Sequence, residues 1–152
     1  MPEHVSLPYR IRPLGARVAA AIATVAIVFV VAVLWLAMSD DVRATFTPFQ
    51  RVTLLLVFAA MIALLYALFR TSAVASDQGL RVINGFKVRE LEWAEIVRLT
   101  FNRNRPWALL DLADGSTVSV MAIQSSDGQW ARDAAAKLAS VIAERSRTPR
   151  ND

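Results

Sequence analysis

No Asp, Glu, Lys or Arg occurs from residue 18 to 39, nor from residue 52 to 69. These two charge-free apolar blocks constrain the fold more than any other feature. The first runs Val18-Ala-Ala-Ala-Ile-Ala-Thr-Val-Ala-Ile-Val-Phe-Val-Val-Ala-Val-Leu-Trp-Leu-Ala37. A helix of about 20 residues crosses a hydrocarbon core of about 30 Å. The second block is slightly shorter and still within the spanning range. Neither carries the polar face of a surface helix, and a chain of 152 residues cannot wrap both in a soluble core. In lipid the missing polar face costs nothing, because a helix satisfies its backbone internally. A cleaved signal peptide is the rival for the first block, with Ala37-Met38-Ser39 as the cut. The apolar run exceeds the ~7–15 residues of a signal core. Were it cleaved, the second span alone would anchor the chain.

Charge sets the expected topology. The chain holds 17 Lys and Arg against 13 Asp and Glu, and most of the bases are arginine. Arg10, Arg12 and Arg17 precede the first block, and Arg70 follows the second. The connector carries Asp40, Asp41 and Arg43, with Arg51 at its edge. Positive charge favours the cytoplasmic side, so both termini are expected in the cytoplasm and the chain in the plasma membrane as a multi-pass protein. Trp35, Phe46 and Phe49 suit the far interface and Tyr66 the near one. The expected organisation is an N-terminal arm at 1–17, a first span at 18–39, an extracytoplasmic connector at 40–51 and a second span at 52–70. A cytoplasmic domain at 71–147 and a disordered tail at 148–152 follow.

The residue inventory excludes several chemistries. There is no cysteine, so disulfides, thiolate nucleophiles and cysteine-ligated metals are absent, and His4 is the only histidine. No cofactor or metal is expected. The bases flank apolar blocks and do not interleave with aromatics on a helix, so no nucleic-acid partner is expected. The spans contain no acid, base or amide, which argues against an ion or proton pathway. Thr24 and Thr53 are expected to bond their own helices. Ala19, Ala23 and Ala26, with Ala60, Ala63 and Ala67, would allow close helix approach in a homo-oligomer.

From residue 72 short alternating runs with turn signals predict antiparallel strands. Asn84-Gly85 predicts a type I′ hairpin turn. Around it Leu80, Val82, Phe86 and Val88 read as an apolar face, with Arg81, Lys87 and Arg89 as a basic one. Val97, Leu99 and Phe101 alternate with Arg98 and Thr100. The turn 102–106 leads to a run from Trp107 to Leu112, then Asp114-Gly115, then Thr117-Val-Ser-Val-Met121. Trp130, Ala134, Leu138, Val141 and Ile142 recur at helical spacing. Ser126 with Gln129 reads as a capping box, or Asp127 as the cap, and the helix is expected to run to about Arg147. The fold class expected is an α+β membrane protein: two transmembrane helices, then a small antiparallel sheet or open barrel capped by a C-terminal helix.

The succession Asp77-Gln-Gly-Leu80, Asn84-Gly85, Leu91-Glu-Trp93-Ala-Glu-Ile96, Arg105-Pro-Trp107 and Leu112-Ala-Asp-Gly115, closed by one helix, resembles the bacterial PH-domain family. The resemblance covers about residues 70–145. It implies a pleckstrin-homology-like fold and no established activity. The better-known PH domains that bind phosphoinositides carry bases around the first hairpin loop. Here that loop is Asp77-Gln78-Gly79, without Lys or Arg, so inositol-lipid binding is not carried over.

Candidate contact residues follow. Arg103 and Arg105 lie on a polar hairpin tip beside Trp107, where they could meet anionic lipid or a partner. Trp93 reads first as a core anchor. Glu90, Glu92 and Glu95, or Asp111 and Asp114, could do acid–base work, but no nucleophile or phosphate loop accompanies them, and no catalytic residue is expected. The reading is therefore not an enzyme. It is a membrane-anchored binding or scaffold module at the inner leaflet, partnered by the bilayer and an unidentified protein. The alternative is an accessory subunit of a larger membrane complex. A reporter active only outside the cytoplasm, fused after Asp152, should stay silent; a strong signal would reverse the topology.

Overall fold

The computed structural model describes residues 6–102 and 104–146. The chain divides into two compact units, residues 16–69 and residues 1–15 with 70–152.

The first unit holds the two apolar helices. Helix α1 is Leu14–Ala37 and helix α3 is Pro48–Arg70. At about 1.5 Å per residue each exceeds 30 Å in length, so both are long enough to cross a membrane. Ala20 and Ala67 are the only buried residues among them, so neither is a core helix within this chain. Thr24 Oγ1 donates to Ala20 O at 2.8 Å and Thr53 Oγ1 to Phe49 O at 2.9 Å, so both hydroxyls bond their own helices. The Arg17 guanidinium stands 4.3 Å from the centre of the Phe69 ring, joining the ends of the two helices.

The connector is more ordered than its polar composition suggests. A short helix, α2, runs Asp40–Thr45, and the Ser39 hydroxyl accepts from Val42 N at its start. Then α3 begins four residues before the charge-free block. Thr47 and Gln50 form a reciprocal capping box around Pro48: Thr47 N donates to Gln50 Oε1 at 2.9 Å, and Gln50 N to Thr47 Oγ1 at 3.3 Å. Arg51 Nε and Nη2 donate to Phe46 O and Arg43 O, ending α2. Arg43 pairs with Asp40 at 2.9 Å. Trp35 and Phe46 meet with ring centroids 6.3 Å apart.

The second unit is a two-sheet domain, and its first strand comes from the N-terminal arm. Strand β1 (Tyr9–Ile11) precedes both apolar helices, yet it pairs with β2 (Ser72–Ala75) beyond them, with Ile11 opposite Ala73. The sequence reading places the domain at 71–147; the structure adds this strand, and the helical hairpin is an insertion between β1 and β2. Strands β3 (Leu80–Asn84) and β4 (Lys87–Leu91) complete a four-stranded sheet in the order β1-β2-β3-β4. Strands β5 (Ile96–Thr100), β6 (Trp107–Leu112) and β7 (Thr117–Gln124) make a second, three-stranded sheet. Helix α4 (Gln129–Arg145) buries Ala131, Ala134, Ala135, Leu138, Val141 and Ile142.

The two sheets do not close into a barrel. Between β4 and β5 the chain turns through a 3₁₀ helix, Trp93–Glu95. Instead a side chain bridges the sheets. Asn84 Nδ2 donates to Ser119 O at 2.6 Å, and Met121 N donates to Asn84 Oδ1 at 3.1 Å. Asn84 therefore serves the edge of β7 and does not sit inside the turn. The central turn residues are Gly85 and Phe86, with Asn84 opposite Lys87. Gly85 has φ +61° and Phe86 a negative φ, so the turn is glycine-first, of the II′ kind, and not I′.

That turn also corrects the expected faces. A two-residue turn pairs even positions with odd ones, so sequence parity does not carry from β3 to β4. Val82 lies opposite Arg89, Ile83 opposite Val88 and Arg81 opposite Glu90. Lys87 and Arg89 thus share the face of Val82, while Arg81 and Val88 occupy the other. The basic face of Arg81, Lys87 and Arg89 does not exist. A register shift in β5 between Ile96 and Arg98 has a similar effect: Ile96 is buried and Val97 is 59% exposed.

A fragment beginning at Thr71 loses β1 and the burial of Ile11, which is 1% exposed. Burying such a side chain contributes about 1.5–3 kcal/mol. Joining residues 6–15 through a flexible linker to 70–146 should raise the thermal midpoint of the fragment by at least 5 °C, on the order of 4–8 °C per kcal/mol. Equal midpoints would mean that β1 adds nothing to the domain.

Candidate lipid or partner contact surface

The hairpin tip 102–106 joins β5 to β6. Arg103 lies outside the described residues. Arg105 is exposed, and its N–H donates to Asn102 O at 3.3 Å, closing the turn. Trp107 is half-buried as the first residue of β6, opposite Gln124 on β7. The base of the tip is held by Pro106 O, which accepts from Ser125 N at 2.9 Å and from Ser125 Oγ at 3.3 Å. Ser125 opens a second 3₁₀ turn, Ser125–Asp127.

The same turn reaches the arm. Asp127 Oδ2 accepts from Leu14 N at 3.1 Å and Oδ1 from Gly15 N at 3.0 Å. These are the first two N–H groups of α1, which have no partner within their own helix. A carboxylate there also meets the positive end of the helix dipole. Gly15 makes the approach possible, because a Cβ at that position would stand 2.8 Å from Asp127 Oδ1. Asp127 is thus spent on α1 and does not cap α4. Helix α4 starts after Gly128 at φ +61°, with no side-chain cap, and the expected Ser126–Gln129 box does not form.

Two short hydrogen-bond steps therefore link the tip that carries Arg105 to the start of the first apolar helix. Trp130 stands one residue into α4, directly after the turn, and is 39% exposed. Its helical spacing suggested a core position; Ala131 holds that position and leaves the indole at the surface. No signal in the sequence separates these two neighbours, because either fits the apolar stripe.

The other singled-out residues are structural. Trp93 is buried, and its Nε1 donates to Ser76 O at 3.0 Å. Ser146 Oγ donates to Trp93 O or Ile96 O, each at 3.1 Å, tying the end of α4 to the same place. Glu95 accepts from Glu92 N at 2.8 Å, and Glu90 pairs with Arg81 at 3.3 Å. Asp111 pairs with Arg98 at 2.6 Å. Hydrogen bonds from Ser116 hold the Asp114 carboxyl below its ordinary pKa, with Arg89 adding to the effect. A lowered carboxyl favours the fold above the ordinary carboxylate range and loses that contribution as acid protonates it. Among the described residues these acids are thus distributed among separate local bonds.

A sequence model of the bacterial PH domain matches residues 70–140. Over those residues the chain is similar to the bacterial PH-domain family, as the resemblance implied. The match starts just before β2, so β1 and the helical hairpin lie outside it. No curated protein and no solved structure matches the chain.

Replacing Asp127 by Ala removes both acceptors from the start of α1. Losses of this kind cost about 0.5–2 kcal/mol. In the full-length protein in detergent, the arm of Asp127→Ala should be cut by protease faster than that of the natural chain. Unchanged cleavage would show that the β1–β2 ladder alone holds the arm.

Proposed function

We propose that this protein is a membrane-anchored PH-like binding module that works at the inner leaflet of the plasma membrane. In this reading α1 and α3 cross the bilayer, both termini are cytoplasmic, and the β5–β6 tip touches anionic head groups. Binding, not catalysis, is the proposed role.

One observation carries the reading. The tip that holds Arg105 and Trp107 is bonded through Pro106 and Ser125 to the turn whose Asp127 receives Leu14 and Gly15. The basic tip therefore shares one hydrogen-bonded network with Leu14 and Gly15. The pairing of β1 with β2 adds support, because it returns both ends of the helical hairpin to neighbouring strands. In this reading both ends lie on one face of the bilayer, as an even number of spans requires. Arg10, Arg12 and Arg70 near those ends favour the cytoplasmic face. The exposed apolar surface of both helices supports insertion.

The double substitution Arg103→Ala with Arg105→Ala tests the contact. In the linked fragment, residues 6–15 joined to 70–146, the thermal midpoint should shift by less than the equivalent of ~0.5 kcal/mol. Binding to anionic vesicles at low salt should fall by roughly thirtyfold, at about 1 kcal/mol per arginine. Added salt should weaken the natural fragment toward the same level. Absence of salt-sensitive binding by the unsubstituted fragment would end the lipid reading.

A further inference from the structure

Strand β4 is the open edge of the four-stranded sheet. Among the described residues its only strand partner is β3. Four of its five residues, Lys87 to Glu90, are exposed. In a two-residue hairpin the residues flanking the turn exchange both hydrogen bonds, and the pattern then alternates. Asn84 with Lys87, Val82 with Arg89 and Leu80 with Leu91 are the bonded pairs. Val88 and Glu90 therefore turn their N–H and C=O groups away from β3. Neither has a partner among the described residues outside that ladder. The edge offers two donors and two acceptors to an incoming strand.

The side chains of this edge differ by face. On one side stand Lys87 and Arg89, both exposed and, among the described residues, neither in a salt bridge, with Arg89 near enough to Asp114 to lower its carboxyl pKa. On the other stands Val88, 38% exposed, beside Ile83, with Phe86 exposed at the adjoining turn. Side chains of an added strand alternate between these faces. A matching segment needs acidic residues at two alternate positions, opposite Lys87 and Arg89, and an apolar residue between them, against Val88.

We propose that β4 is a docking edge for a protein partner, which adds an extended segment of acidic–apolar–acidic pattern as a fifth strand of this sheet. Backbone bonds at Val88 and Glu90 supply attraction, and the two bases and Val88 select the sequence. This site is separate from the β5–β6 tip, so it stands or falls independently of the lipid reading. Charges on the edge also keep unrelated apolar strands from adding, because a segment without acids would leave Lys87 and Arg89 facing it unpaired.

The test uses the full-length protein in detergent micelles and a dye-labelled peptide of alternating Glu and Val. Fluorescence anisotropy should report binding. It should weaken by at least about tenfold for Lys87→Glu with Arg89→Glu, and by a similar factor for Val88→Pro. Proline at 88 removes only an outward N–H, so the β3–β4 ladder remains. The same peptide carrying N-methyl groups at alternate positions should lose affinity against the unaltered protein, a result that does not depend on any variant folding. Residue-resolved amide exchange should slow at Val88 and Glu90 on peptide binding and stay unchanged at Arg89. Equal binding of the N-methylated peptide, or unchanged exchange at Val88 and Glu90, would reduce the contact to charge alone and overturn the proposal. So would failure of the peptide to bind, or attachment of anionic vesicles at Lys87 and Arg89 in its place.

Discussion

The pairing of β1 with β2 is the contact on which this architecture depends. Three residues from the arm, Tyr9–Ile11, meet three from beyond the second apolar helix. The ladder makes β1 the edge strand in place of β2 and delivers Ile11 to the core. It also turns a domain that looks C-terminal into one whose chain is interrupted by a helical hairpin. Loop closure over such a distance costs little more than over a shorter one, because the entropy grows only logarithmically. The insertion is also helical, so much of its freedom is already spent.

Within the domain, polar side chains do work that a continuous ladder would do in a barrel. Asn84 occupies both a donor and an acceptor along β7, which has no further strand beside it among the described residues. Asp127 serves the unpaired start of α1, and Ser146 serves the carbonyls of the 3₁₀ turn at Trp93. A single amide or carboxyl can satisfy such groups at separations that no local rule reaches. Arg145 adds an ion pair to Asp77 at 2.7 Å, from the end of α4 to the β2–β3 loop.

Much of this was legible in the residues, and what was missed has specific physical causes. The apolar helices show themselves by the absence of charge, and the strands from Leu80 onward by alternation and turns. Trp93 was readable as an anchor from its place between strands. Strand β1 was not, since three residues carry no period and their partner lies 62 positions away, Ile11 against Ala73. The faces of β4 were misread because alternation was continued through a two-residue turn that inverts it. The start of α3 was available in Thr47-Pro48-Phe49-Gln50, a capping box with proline at the first helical position. At the candidate site, Arg105 and Trp107 were legible as a polar tip, but its bond to Ser125 was not. The role of Asp127 was hidden altogether, because its partners are backbone groups 112 and 113 residues away.

That separation has a consequence for the order in which the protein is made. Leu14 and Gly15, which open the first apolar helix, leave the ribosome before the rest of it. Asp127 follows more than a hundred residues later, between β7 and α4. At a synthesis rate of about 5–20 residues per second, the amino end of α1 waits on the order of ten seconds for its carboxylate. Through that interval strands β2 to β7 are still being made. The last turn before α4 therefore acts as a latch: the first two N–H groups of α1 gain their acceptors only once Asp127, 112 and 113 residues downstream, has been translated.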